Sequence, residues 1–337
     1  MLKLEQKPFY EVGKLSPLKL EEIILKHIKN RNSSVSPSIG VDFGIYGNDL
    51  ILTTDPLSYH RPLGTEFGSK FGFNVILTDF LTSGNLPEFL TATLLFPTDV
   101  PDLEIELYWK TFTDQCYRWD IDIVTGHTGR YSSASLPLIG SVTMGGRAHR
   151  MVYSYSNVKE GDSLIIMGYP GIQAAVILSH YNMGLPGMVN TARKLISQRD
   201  MLLVTNHMKF LMDNFSHNEI EFMHDVTEGG LYGALNEIAL ASSHNLNIES
   251  QKIPENEHVT AYLSALSLDP WSVTSEGCIL MGVQKEAAEE IVASLQGKNI
   301  PSAIVGRVGK AESNSVIIDG KAIGKEWKDP YWGALKQ

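Results

Sequence analysis

Cysteine is scarce: Cys116 and Cys278 are the only two in 337 residues. They form no C-x-x-C and no zinc-ligand spacing, which argues against a cysteine metal site or a disulfide framework. A chain this long builds a core without a disulfide, so a reducing compartment, the cytoplasm, is the expected location. Basic runs are also absent. Lysine and arginine number 28 against 38 aspartates and glutamates, a formal net charge of −10. Without a basic stretch to neutralise phosphates, nucleic acid is not an expected partner. Long apolar runs are missing too. The most apolar stretch, residues 164–181, is interrupted by Gly168, Pro170 and Gly171, so it reads as strand, turn and helix rather than a membrane span. The first fourteen residues carry charges without the apolar segment of a signal peptide. Finally, there is no phosphate loop of the form G-x-x-x-x-G-K-[ST] and no convincing G-x-G-x-x-G. A nucleotide would therefore be held mainly through metals and loops.

What is present is an ordinary globular composition, 43% apolar and 20% charged, at a length that suggests two domains. Helical spacing of apolar residues predicts helices over residues 16–28, 67–81, 103–119, much of 188–214 and 229–243. Strand-type runs fall at residues 50–54, 89–96, 121–125, 136–144, 163–167, 221–223, 279–283, 303–308 and 316–318, with a hairpin turn at Asp319-Gly320. A polar turn, Lys159-Glu160-Gly161-Asp162, precedes a renewed α/β pattern. The expected organisation is an α/β (α+β) fold with a first domain over 1–155 and a second over 156–337.

Several acidic residues stand where chemistry is plausible. Asp42 is flanked by Gly40 and Gly44, which leave room for a ligand; an Asx-turn before a hairpin is the alternative. Asp55 follows the run 50–54 and precedes Pro56. Ligands gather at carboxyl ends of strands in α/β sheets, although Asp-Pro also initiates turns. Asp79 sits in the apolar helix Ile76-Leu77-Thr78-Asp79-Phe80-Leu81, where an ionised carboxylate is costly unless paired or metal-bound. A polar face with Thr78 is the alternative. Three separated aspartates suit Mg²⁺, which takes oxygen ligands from carboxylates, phosphates and water.

Gly126-His127-Thr128 is expected to open a turn that projects His127, a candidate for phosphate contact or proton transfer. The run His224-Asp225-Val226-Thr227-Glu228-Gly229-Gly230-Leu231 places Asp225 at a strand end. Thr227 is a plausible helix cap, and free N–H groups at Gly229 and Gly230 could meet an anion or a carbonyl. Glu276, in Ser275-Glu276-Gly277, is a candidate general base, with a solvated turn as the alternative.

These elements, in this order and together with Thr54-Asp55-Pro56, Gly84, Pro87, Gly161-Asp162 and Gly306-Arg307-Val308, resemble the aminoimidazole ribonucleotide synthetase-like superfamily over nearly the whole chain. Gly-His-Thr looks most like the hydrogenase maturation dehydratase branch, and Asp-Val-Thr-Glu-Gly-Gly-Leu is the most specific match. The resemblance implies an N-terminal domain that pairs into a homodimer and a C-terminal α/β domain. It implies ATP and Mg²⁺ in the cleft between them, and phosphorylation of an oxygen on a carboxamide or other small-molecule substrate. Carried over by position, Asp42, Asp55 and Asp79 would be metal ligands, and His127 and Glu276 catalytic. Lys14, Thr78, Gly126, Thr128, Asp225, Gly229 and Gly230 would contact the cofactor. Val41 and Phe43 stand where the family places a second acid, Thr78 where it has Asn, and Gly129 where it has Glu. The chain ends Tyr331-Trp332-Gly333-Ala334-Leu335-Lys336-Gln337, without the substrate-carrying cysteine of the dehydratases. The substrate is then a separate molecule, or the chain is a non-catalytic nucleotide- and metal-binding paralogue with an accessory role.

Overall fold

The structure, a computed structural model, describes residues 12–181, 187–325 and 327–335. Residues 1–11, part of the stretch without a signal-peptide core, and 336–337 lie outside the described residues. Two sheets organise the chain. The first contains β1 (Ser33–Val35), β2 (Gly44–Tyr46), β3 (Leu50–Ser58), β4 (Phe89–Phe96), β5 (Asp122–Arg130) and β6 (Leu138–Arg147), in the order β1-β2-β3-β6-β4-β5. All its pairs are antiparallel except β4–β5. The second contains β7 (Ser163–Met167), β8 (Ile220–Asp225), β9 (Leu246–Ile248), β10 (Ile279–Val283), β11 (Ser302–Val308), β12 (Val316–Ile318) and β13 (Lys321–Ala322), ordered β13-β12-β9-β11-β7-β10-β8.

The helices are α1 (Pro17–Ile23), α2 (Thr65–Leu81), α3 (Asp102–Arg118), α4 (Ile172–His180), α5 (Val189–Ser197), α6 (Thr205–Asn214), α7 (Gly230–Ser242), α8 (Glu257–Ala265), α9 (Ala288–Gln296) and α10 (Tyr331–Leu335). No helix among the described residues is long and apolar enough to cross a membrane. Cys116 and Cys278 are both free and buried.

The α2 helix explains how two sheets make one site. It is apolar on almost every side, a pattern that fits only a helix buried all round. One side covers the first sheet and the other meets α6 and β8. Phe73, Ile76, Leu77 and Phe80 accordingly share one buried cluster with Ile165, Met167, Met208 and Ile279 of the second half. Burying four such side chains contributes on the order of 6–12 kcal/mol of apolar transfer free energy. A polar residue on α2 is thereby presented to both halves.

Three local expectations are corrected. β3 does not stop at Thr54 but runs through Asp55 and Pro56 to Ser58, paired with β6. Proline lacks only its own N–H, so a strand passes through it where that donor is not needed. Likewise β5 continues through Gly126-His127-Thr128 instead of turning there, because β4 pairs with it as far as Arg130. The strand expected over 136–144 does not end there but runs on through Gly145 and Gly146 to Arg147. A Cβ on these two glycines would meet the Phe89 ring at 2.4 Å and Leu86 O at 2.8 Å respectively.

Candidate functional site

Alternation along β3 puts Ile51, Thr53, Asp55 and Leu57 on the face that carries α2, and Thr54 and Pro56 on the other. Asp55 therefore points under the helix. Thr53 Oγ1 donates to Asp42 O at 2.8 Å and lies 3.5 Å from Asp79 Oδ2, tying the Asp42 loop to α2. Gly40 lets that loop reach the second half. Its φ is +77°, and a Cβ would sit 2.6 Å from Glu237 O of α7.

The second half closes the site from the other side. Glu276, in the turn before β10, is 1% exposed. Its Oε1 accepts from Asn74 Nδ2 at 2.8 Å and Thr78 Oγ1 at 3.0 Å, both on α2. Asn74 also donates to Leu202 O at 3.0 Å, and its Oδ1 accepts from Thr205 Oγ1 at 3.1 Å, so one amide anchors three segments. Asp225 ends β8, buried. His224 beside it has Nδ1 3.2 Å from Asp42 Oδ2 and Nε2 3.3 Å from Glu237 Oε2. The hydroxyl of Tyr155 is 2.9 Å from the same Nδ1. Lys14 Nζ donates to Glu237 Oε1 at 2.9 Å, and its backbone N–H to Glu228 Oε2 at 2.5 Å.

The electrostatics report crowded like charge. Asp42, Asp55, Asp79, Asp225, Glu228, Glu237 and Glu276 act on one another, with Lys14 and His224 as the cations among them. Burial first, then Asp225, pushes Asp55 up to about 7. Burial first, then Asp42, does the same to Asp225. Asp79 and Glu276 are raised well above the usual carboxylate range, in both cases by burial and then by Asp225. Burial alone would lower His224, but Asp42 and Glu237 reverse this and hold it up at about 10. Burial opposes ionisation of Glu237, yet Lys14 and His224 bring it down to about 2. Burial also disfavours charge on Lys14, and Glu237, Asp42 and Asp225 raise it nonetheless.

Two oxygens complete the description. Glu276 Oε2 is sealed from solvent and accepts no hydrogen bond, and Asp42 Oδ2, equally sealed, faces only the His224 ring at 3.2 Å. A buried acceptor without a donor is costly, and here both belong to an acid-rich cluster. Hard dications satisfy such oxygens. Asp42, Asp55, Asp79 and Asp225 fit the role of metal ligands, and Lys14 stands at their side.

The remaining expected residues divide. Thr78 reaches the site, bound to Glu276 rather than free for a ligand. His127 does not reach it. Cross-strand pairing aligns Asp55, Val142, Ala92 and Gly126 in one row, and Pro56, Ser141, Thr93 and His127 in the next. Adjacent rows face opposite sides, and three strand spacings of ~4.8 Å separate β3 from β5. His127 is thus on the far face, about 14 Å across the sheet, exposed and 2.6 Å from Tyr131 Oη. Gly126 and Thr128 share the helix-side face but lie on that same outer strand.

The α7 start is also corrected. Its cap is Gly229 rather than Thr227. The Gly229 N–H donates to Asp329 Oδ2 at 3.0 Å, and the Gly230 N–H to Thr227 O at 2.9 Å. Packing explains the glycine pair. Gly229 has φ +88°, and a Cβ would lie 2.3 Å from the Trp327 ring. Gly230 has φ +60°, and a Cβ would meet Trp271 O and Val273 O at 2.6 Å. The indole of Trp332 adds a hydrogen bond to Glu228.

His224, Glu237, Asn74, Glu228 and Tyr155 carry no assigned role in the sequence reading. The available signal was a charged or amide side chain inside an apolar helix: Asn74 in α2 and Glu237 in α7.

Comparison with known proteins places this geometry. Residues 159–319 match the AIR synthase related protein, C-terminal domain. The second half of the chain thus resembles the C-terminal domain of the AIR synthase family. It is 26% identical over 326 residues to a protein of Methanocaldococcus jannaschii named for hydrogenase expression/formation, covering 91% of each. It is 23% identical over 278 residues to the carbamoyl dehydratase HypE of Rhizobium leguminosarum, covering 79% of this chain and 75% of that one. Among solved structures, a hydrogenase maturation protein HypE in complex with ATP superposes with a TM-score of 0.66 at 20% identity, covering 93% and 95%. The fold is therefore the one that this solved structure shows.

Proposed function

We propose that the chain binds ATP with Mg²⁺ in the acid-lined cleft and transfers the γ-phosphoryl group to an oxygen of a carboxamide or other small molecule. The observation that carries this reading is the convergence of Asp42, Asp55 and Asp79 from the first half with Asp225 and Glu276 from the second. The related HypE with bound ATP supports it. Phosphoryl transfer is mostly positioning and charge neutralisation, and a carboxylate cage around dications supplies both. Asp42, Asp55, Asp79 and Asp225 would hold the metal, whose chemistry is to neutralise charge on the transferring phosphoryl group. Lys14 would stand beside the phosphates. Glu276, whose burial raises its basicity, would receive the proton released on phosphorylation, from the N–H of a carboxamide or the O–H of an alcohol.

His127 enters this reading through a second copy of the chain. β5 ends its sheet with an open edge, and Val124 is 58% exposed on it. An open nine-residue strand is a pairing surface. A homodimer built there would carry His127 away from its own cluster and toward the partner.

The test is calorimetry of ATP with and without Mg²⁺ on wild type and Asp79→Ala, followed by ADP release across a panel of amides and alcohols. Mg-dependent binding lost in the variant supports the cleft assignment; no binding to wild type removes it. A second reading, a nucleotide-binding paralogue without turnover, is favoured by one observation: the chain's own Asp329 takes the α7 N–H. Saturable product formation would end that reading.

A further inference from the structure

We propose that a cavity at the end of the second sheet, apart from the acid cluster, binds a small carboxylate with a short apolar tail. The inference goes beyond the phosphoryl-transfer reading and does not depend on it. The cavity holds about 110 Å³. Its walls are Met167 at the end of β7, Ile172 at the start of α4, Gly277 before β10, Ile300 before β11, and Met201 and Val204 ahead of α6. Register aligns Asp225, Ile279 and Met167 in one row. Met167 therefore stands two strand spacings, about 10 Å, from Asp225. Among the described residues no carboxylate lines the cavity. An apolar cavity of about 150 Å³ takes a benzene ring, so this one has room for about four or five carbons.

The charge at this cavity is of one sign and lacks a partner. Lys298 and His207 both line it. Among the described residues no carboxylate pairs with Lys298, whose ammonium rests over the Phe210 ring at 4.2 Å from its centroid. His207 and Phe210 are three positions apart on α6 and share one helix face. Burial first, then Lys298, lowers His207 from its ordinary value, and neither a hydrogen bond nor a carboxylate opposes them. The ring is then neutral, with one N–H to donate. Val204, the cap of the ten-residue α6, supplies no side-chain cap bond, so the positive end of that helix also lies at the cavity. In a chain of net charge −10, an apolar hollow edged by a lysine, a donating imidazole and a helix start complements an anion with an apolar tail. The cavity also backs onto the turn of Glu276. A Cβ on Gly277 would lie 2.7 Å from Met201 O, and the next carbonyl, Leu202 O, takes the Asn74 N–H. An occupant therefore bears on that turn.

The experiment titrates the full chain, without nucleotide, with acetate, butyrate, pentanoate and octanoate, and with the uncharged 1-pentanol, read by ligand-observed NMR. Each methylene from acetate to pentanoate is expected to tighten binding by up to about fourfold. Octanoate, too long for the cavity, is expected to bind more weakly than pentanoate. Lys298→Met, a change at an exposed position, is expected to weaken pentanoate about tenfold, the scale of a lost charged hydrogen bond, and to leave 1-pentanol unchanged. Met201→Trp, which fills the cavity, is expected to abolish binding of both. Hydrogen exchange is expected to slow on adding pentanoate at residues 201–207 and 275–279. Equal affinity for acetate and pentanoate overturns the inference, as does 1-pentanol binding as tightly as pentanoate. Pentanoate affinity unchanged in Lys298→Met, or protection confined to other segments, overturns it as well. Should Met201→Trp fail to fold, Lys298→Met and the exchange pattern decide.

Discussion

Replacing Asp55 by asparagine tests whether the cluster is strained in the absence of a cation. In the folded chain the Asp55 carboxyl is held up at about 7 from an ordinary value near 3.8, by burial and by Asp225. Each tenfold change in proton affinity corresponds to ~1.4 kcal/mol, so ionising Asp55 in the folded state costs about 4 kcal/mol as an upper limit. Part of that cost belongs equally to Asp225, raised by the same crowding. The native state binds more protons than the unfolded one between those two values. Stability is therefore full below about pH 4 and falls as pH rises through about 7. Asp55→Asn removes the charge at constant size. The metal-free variant is expected to be more stable than wild type at pH 8 by about 2–4 kcal/mol, and nearly equal at about pH 4. Mg²⁺, which stabilises wild type by binding only the folded state, is expected to stabilise the variant much less. Thermal melts at both pH values, with and without Mg²⁺, read all of this. A variant less stable than wild type at pH 8 without metal, or an unchanged Mg²⁺ shift, would refute the reasoning.

Three further outcomes are expected. Glu221, in β8, is pushed up to about 8 by burial and then by its hydrogen-bonded neighbour Asp162. Glu221→Gln should abolish the stability loss between about pH 5 and pH 8 that this raised carboxyl imposes, seen in melts across that range. Gly229→Ala forces a side chain into a left-handed conformation against Trp327; it should cost about 1–3 kcal/mol and shift tryptophan fluorescence, and an unchanged melting temperature counts against the packing described. Val124→Glu on the open β5 edge should turn a dimer into a monomer in light scattering with little change in secondary structure; a mass unaltered by the substitution argues against pairing through β5.

Much of this protein is legible in its sequence. Helical periodicity located α2, α3 and α7 within one or two residues, because each carries apolar side chains at the spacing that burial demands. Asp79 was legible as a carboxylate in an apolar helix, and Asp225 as an acid ending a strand before two glycines. These are local conflicts between charge and environment, and a sequence displays them directly. Tertiary structure alone decided what those residues meet. The face of β5 that carries His127 depends on cross-strand register, which no local pattern records. Asp329, 100 residues beyond Gly229, takes the N–H that the sequence presented as free. Glu237 and Lys14, 223 positions apart, become partners because folding lays the segment before α1 against α7. Sequence fixes spacing along the chain. Charges at the site act through space, and only folding sets those distances.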